Sequence, residues 1–91
     1  MKRIMYKITW DNKLNKDLHK LDKKTKSRIV QKVEKYLVLD PLGLGEPLYG
    51  RYIGLWRYRV GNYRVIYDVS QETITITVVK VGHRSDIYQA K

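Results

Sequence analysis

The stretch Leu55-Trp56-Arg57-Tyr58-Arg59-Val60-Gly61-Asn62-Tyr63-Arg64-Val65-Ile66-Tyr67-Asp68-Val69 decides the fold. Two alternating runs stand on either side of Gly61-Asn62, a dipeptide suited to a tight hairpin turn. Side chains of an extended strand point alternately to opposite faces. Trp56, Tyr58 and Val60 therefore share one face of the first run, and Arg57 and Arg59 the other. In the second run Tyr63, Val65 and Tyr67 share a face, and Arg64, Ile66 and Asp68 share its opposite. If the hairpin register sets Tyr63 and Tyr67 with the core, Arg64 joins Arg57 and Arg59. A third run, Thr73–Val81, follows Ser70-Gln71-Glu72, so the three strands form an antiparallel meander.

Upstream, Tyr6, Ile8 and Trp10 alternate with Met5, Lys7 and Thr9, which reads as a strand over residues 5–10. Asp11 or Asn12 is placed to cap a following helix. Leu14, Leu18 and Leu21 make one helical stripe, Asp22-Lys23-Lys24-Thr25 a turn, and Ile29, Val30, Val33, Tyr36 and Leu37 a second stripe that Asp40-Pro41 stops. Residues 40–54 hold both prolines and four of the six glycines and read as a loop. The tail from Gly82 to Lys91 suits a short helical turn. The layout is β-αα-βββ, an α+β class in which a helical hairpin packs on one face of a small, mainly antiparallel sheet. The sheet's other face is left open for a site.

A chain of 91 residues is expected to form a single domain over positions 1–91. It has no cysteine, which removes disulfides, thiolate metal sites and a cysteine nucleophile. His19 and His83 alone make a poor set of transition-metal ligands, so neither a metal nor a cofactor is expected. No apolar run approaches the roughly 18 residues of a membrane span. The start, MKRIMYKITW, lacks the apolar region of a secretory signal, and the expected location is the cytoplasm.

The formal net charge is +10, which draws the chain toward polyanions. Residues 1–35 hold twelve Lys/Arg against four Asp/Glu, mostly lysine, whereas residues 36–91 hold seven against five, mostly arginine. Lysine is a hydrated point charge; arginine is a planar fork that matches phosphate oxygens. The lysines therefore suit general attraction and the arginines a site. Arg84 follows the last strand and can reach the face of Arg57, Arg59 and Arg64.

Clustered guanidiniums repel one another unless an anion lies among them. Phosphodiester cleavage builds negative charge on the phosphoryl oxygens, and fixed arginines aimed there stabilise that state above the ground state. On RNA a route is open without cysteine or metal: the ribose 2′-OH attacks its own 3′ phosphate, leaving a 2′,3′-cyclic phosphate and a 5′-OH. His83 and Tyr88 flank Arg84 and are candidates for proton transfer; Glu46, in the glycine-rich loop, is a possible general base. Plainer readings stand beside these: an ordinary exposed strand face, a turn histidine, a tyrosine pinning the C-terminus, a solvated loop glutamate. His19 reads as surface. Gly43-Leu44-Gly45 is too short to be a phosphate loop.

The run from Trp56 to Tyr67, the later His83-Arg84-Ser85-Asp86-Ile87-Tyr88 and the preceding Pro47-Leu48-Tyr49-Gly50 together resemble the RelE toxins of bacterial and archaeal toxin–antitoxin pairs. The resemblance covers nearly the whole chain. It implies a ribosome-dependent mRNA endonuclease that cuts the codon in the ribosomal A site and is blocked by a RelB-like antitoxin. It places Arg57, Arg59, Arg64 and Arg84 on the scissile phosphate and Tyr88 at proton transfer or base stacking. His83 occurs in part of the family, and Glu46 falls near a glutamate used by a YoeB-like branch. Some members carry lysine where Arg57 and Arg59 stand. Two other readings fit the same features: a ParE-like inhibitor of DNA gyrase with the same fold, and a non-catalytic RNA-binding module. The net charge calls for an antitoxin with an acidic, amphipathic segment; ribosome and mRNA complete the expected partners.

Overall fold

The computed structural model describes residues 4–88. The meander is present: β3 (Trp56–Val60), β4 (Tyr63–Ser70) and β5 (Thr75–His83) pair antiparallel in sequence order. Gly61 has φ +59 at the first central position of the β3–β4 turn, the left-handed conformation that glycine supplies at least cost. The β1 strand (Lys7–Trp10) adds parallel to β5, and β2 (Glu46–Pro47) adds antiparallel to β3, giving the five-strand order β1-β5-β4-β3-β2.

One face of this sheet carries the helices. A turn of 3₁₀ helix (Asn12–Leu14) leads into α1 (Asn15–His19), and α2 (Lys23–Lys35) follows. Asp11 caps the first of these, its carboxylate accepting from the Lys13 amide at 2.8 Å. The expected turn at Asp22–Thr25 is shorter than its composition suggests. Only Asp22 is extended, and the helix begins at Lys23 with the Lys26 amide donating to the Asp22 carbonyl. The Thr25 hydroxyl beside Asp22 holds its carboxyl below the ordinary carboxylate value. Ile29, Val33 and Leu37 are buried against Val60, Val65, Tyr67, Ile76, Val78 and Val81. Tyr36, expected in the same stripe, is exposed, and the Lys32 ammonium lies 5.1 Å from its ring centre.

Residues 40–54 are more ordered than a loop. Pro41–Leu44 forms a single helical turn, α3, with Asp40 accepting from the Gly43 amide at 3.0 Å. The buried Tyr67 hydroxyl donates to the Pro41 carbonyl at 2.6 Å and fills the space a Cβ on Gly45 would occupy. That contact sets the chain on course for β2. The connection before β5 runs to Ile74 rather than ending at Glu72. Ile74 has φ +53, a strained value for a β-branched residue, and its carbonyl accepts from the Lys7 amide at 2.9 Å.

At the other end of the sheet β5 outruns its neighbour. The β1–β5 pairing stops at Trp10↔Val78, and the Asp17 carboxylate takes the Val81 amide at 3.2 Å. β5 ends at His83, past the expected Val81, and α4 (Arg84–Tyr88) follows within the expected helical tail. No helix among the described residues is long and apolar enough to cross a membrane.

Candidate functional site

The register settles the face of every strand residue. Trp56↔Tyr67, Tyr58↔Val65 and Val60↔Tyr63 pair on the helix side, so Arg57↔Ile66 and Arg59↔Arg64 pair on the open side. The three arginines of the hairpin therefore do share one face, and Arg59 stands directly across from Arg64. Like charges so placed repel unless something anionic offsets them.

The three do not serve alike. Arg59 is exposed. Arg64 is only 7% exposed, and its Nη1 donates to the carbonyls of Gly61 at 3.1 Å and Tyr63 at 3.0 Å. It holds the β3–β4 turn in shape, while its buried Nε meets no acceptor among the described residues. Arg57 is half-buried, and its Nη2 lies 2.9 Å from Glu46 Oε2. That ion pair exists because two-residue β2 pairs Glu46 directly with Arg57. Glu46 is thus an exposed strand residue on the arginine face rather than a loop carboxylate.

Arg84 is exposed at the start of α4, and its amide donates to the Asn62 carbonyl at 2.8 Å. The backbone bond fixes the start of α4 to the same turn that Arg64 braces. The hairpin register sets Arg57, Arg59 and Arg64 on the open face, and the turn-to-helix bond ties the backbone of Arg84 to the turn beside them. Such an array, part exposed and part backed by fixed carbonyls, suits an anion with several oxygens.

His83 stands apart. It pairs with Tyr63 on the helix side, with the two rings edge-to-face at 5.5 Å. Its Nδ1 lies 2.8 Å from Ser85 Oγ and accepts from the Ser85 amide at 3.2 Å. It lines a cleft of about 180 Å³ at the end of the sheet, which Asp17, Lys20, Tyr63, Lys80 and Asp86 also border. The side chain of Tyr88 lies outside the described part of the structure. The buried tyrosines give no base: burial pushes the Tyr58 and Tyr67 hydroxyls up, so both stay protonated. His19 is exposed. No group of three or more His, Asp or Glu among the described residues is arranged to hold a metal ion.

One residue on the arginine face escapes the sequence pattern. Lys80 pairs with Ile66, which pairs with Arg57. Counting alternately from Ile76 and Val78 puts Lys80 under the helices. An irregularity between Ile66 and Tyr67 leaves Val79 as an extra residue in β5 and reverses the parity beyond it. Val81 and His83 then take the helix side, and Lys80 and Gly82 the open side. Val78-Val79-Lys80-Val81 carries no glycine or proline to mark the bulge.

Comparison with known proteins identifies the fold. Residues 8–88 match the family described as the ParE toxin of type II toxin–antitoxin systems. The chain belongs to the RelE/ParE superfamily of toxins. It is 32% identical over 84 residues to Toxin RelG of Mycobacterium tuberculosis, covering 92% of this chain and 97% of that one. The toxin–antitoxin complex RelBE2 from the same organism superposes with a TM-score of 0.85 at 30% identity, over 93% of this chain and 98% of that one. The RelB–RelE antitoxin–toxin complex from Methanococcus jannaschii gives a TM-score of 0.68 at 28% identity, over 91% of this chain and 98% of that one. This RelE/ParE chain is therefore the toxin of a type II toxin–antitoxin system.

Proposed function

We propose that the toxin is a ribosome-dependent mRNA endonuclease. The observation that carries this reading is the open sheet face on which Arg59 meets Arg64, Arg57 stands one pair away and Arg84 is tied to the connecting turn. In this reading Arg57, Arg59 and Arg84 grip the scissile phosphate, and Arg64 acts by holding the turn beneath it. The ribose 2′-OH attacks the adjacent phosphorus, the bond to the 5′-oxygen breaks, and a 2′,3′-cyclic phosphate and a 5′-OH result. Guanidiniums stabilise the added charge but do not exchange protons near neutrality.

Proton transfer falls to Glu46, which Arg57 holds on the arginine face, or to Tyr88, beyond Arg84 in the chain; His83, next to Arg84 in sequence, lies on the helix side and would serve only from the end of the sheet. The lysine-rich outer side of α2 holds ribosomal RNA, whose role is to orient the mRNA. The partner that silences the toxin is a RelB-like antitoxin with an acidic segment, in keeping with the +10 charge and with the RelB–RelE complexes that the fold resembles. The expected site of action is the cytoplasm.

The test is a cell-free translation reaction given antitoxin-free protein, with new mRNA 5′ ends mapped. Discrete cuts within translated codons, absent without ribosomes and absent for Arg84→Ala, are expected. Arg84→Ala should still fold and bind the antitoxin; retained toxicity in that variant would overturn the assignment. The family match to ParE toxins favours one other reading, inhibition of DNA gyrase. Intact mRNA together with lost supercoiling activity would select it, and binding without either effect would select an RNA-binding module.

A further inference from the structure

We infer that Lys80 is an additional phosphate-binding residue of the arginine face, delivered there by the bulge at Val79. The inference deepens the proposed function, since it concerns the same anionic substrate. Its basis is the cross-strand row Glu46–Arg57–Ile66–Lys80, read directly from the register. Neighbouring strands lie about 4.8 Å apart, so Arg57 and Lys80 rise from backbones about 10 Å apart with only Ile66 between them. Two long side chains at that separation are able to reach one phosphate-sized group held over Ile66.

Ile66 is fully buried although it points to the open face, and it belongs to no part of the main core cluster. The methylene stems of Arg57 and Lys80 flank it in its row, an arrangement in which long cationic side chains cover apolar surface and keep their heads outward. Beyond Lys80 the next β5 residue on this face is Gly82, where an added Cβ would stand 3.4 Å from Ile87. Lys80 is therefore the last cationic side chain that β5 presents before α4 closes over the strand. Arg57 is offset by Glu46; Lys80 borders the cleft that Asp17 and Asp86 also line, and among the described residues neither carboxylate is within ion-pair distance of it.

The probe is a trinucleotide whose 2′-hydroxyls are methylated, so that it binds without the cleavage chemistry, titrated against the full chain. Lys80→Met is expected to weaken binding about tenfold, the scale of one lost charge-assisted contact, and Lys80→Arg to restore it. Lys80→Gln serves as a second neutral variant should the first fold poorly. Combined with Arg57→Ala, Lys80→Met should cost less than the sum of the two single losses, because both hold one phosphate. Lys35→Met, at the end of α2 behind the sheet, should add to Arg57→Ala without coupling. Undiminished binding in Lys80→Met and Lys80→Gln, or strict additivity with Arg57→Ala, would overturn the inference. Because the probe cannot be cut, a wild-type protein that binds it yet cleaves no mRNA would defeat the proposed function and leave the Lys80 result standing on its own.

Discussion

The two faces of one five-strand sheet divide the molecule's work. On the helix side, Val65, Tyr67, Ile76 and Val78 are fully buried under Ile29, Val33 and Leu37. On the open side, the same strands present Arg57, Arg59, Arg64 and Lys80. Alternation makes the two sets inseparable in sequence, yet their energetics differ. Apolar burial stabilises the folded state in proportion to area removed from water. The cationic array contributes little to folding and is set against itself by like charge, so its value must come from what binds. Arg64 belongs to both sets, since it sits on the open face while its Nη1 is committed to the backbone.

The largest separation between the faces should come from one substitution on each. Arg59→Ala is expected to lower cleavage about 100- to 1000-fold, the usual loss for one transition-state donor, with the melting temperature little changed. Leu37→Ala is expected to lower stability by about 2–5 kcal/mol, seen as a fall in denaturation midpoint, while the folded fraction keeps its activity. A variant of either kind that moved both readouts equally would break the division.

The next effect probes the link between the core and the loop that carries Glu46. Tyr67→Phe leaves the Pro41 carbonyl without its donor and should cost about 1–3 kcal/mol. Gly45→Ala collides with the same hydroxyl. The double variant should therefore be less destabilised than the two single losses added together, which thermal or urea unfolding will measure.

Arg64→Lys sharpens the comparison at the residue that straddles it. A lysine keeps the charge but not the position of the Nη1 that donates to both turn carbonyls, and a loss of about 1 kcal/mol in stability is expected. Cleavage should fall less than in Arg59→Ala. An equal or larger fall would move Arg64 into direct contact with the phosphate.

The smallest effect lies at the start of α2. The Asp22 carboxyl is held below its ordinary value of 3.8 by the Thr25 hydroxyl. A depressed carboxyl stabilises above its unfolded value and loses that contribution as pH falls through the folded one. The wild type should therefore melt slightly above Asp22→Asn at neutrality, and the gap should close on acidification below about pH 4.

Much of this was legible in the residues. Gly61-Asn62 between two period-two runs set the hairpin, and the two-residue turn fixed the register that brings Arg59 opposite Arg64. The helical stripes found the right face because Leu14, Leu18 and Leu21 in one, and Ile29, Val33 and Leu37 in the other, recur at helical spacing and pack on the sheet. What stayed hidden has local causes. A two-residue strand such as Glu46–Pro47 has no periodicity to read, and its proline argues against a strand unless it lies at a sheet edge, where β2 does lie. The bulge at Val79 sits in a run of β-branched residues with no turn former, so the parity change that puts His83 behind the sheet and Lys80 in front left no mark. Tyr36 shows the opposite failure: it fits the stripe by spacing, but α2 has ended at Lys35.

The Asp17–Val81 bond has a consequence for how the toxin behaves in company. Past Trp10, β5 continues with its outer edge uncovered by β1, and a bare strand edge invites a strand from another molecule. Asp17 occupies that edge with a side chain rather than a backbone, so the amide is satisfied and the template is spoiled by a negative charge. The bond takes out of reach an edge amide that a strand of another molecule would otherwise be free to pair with.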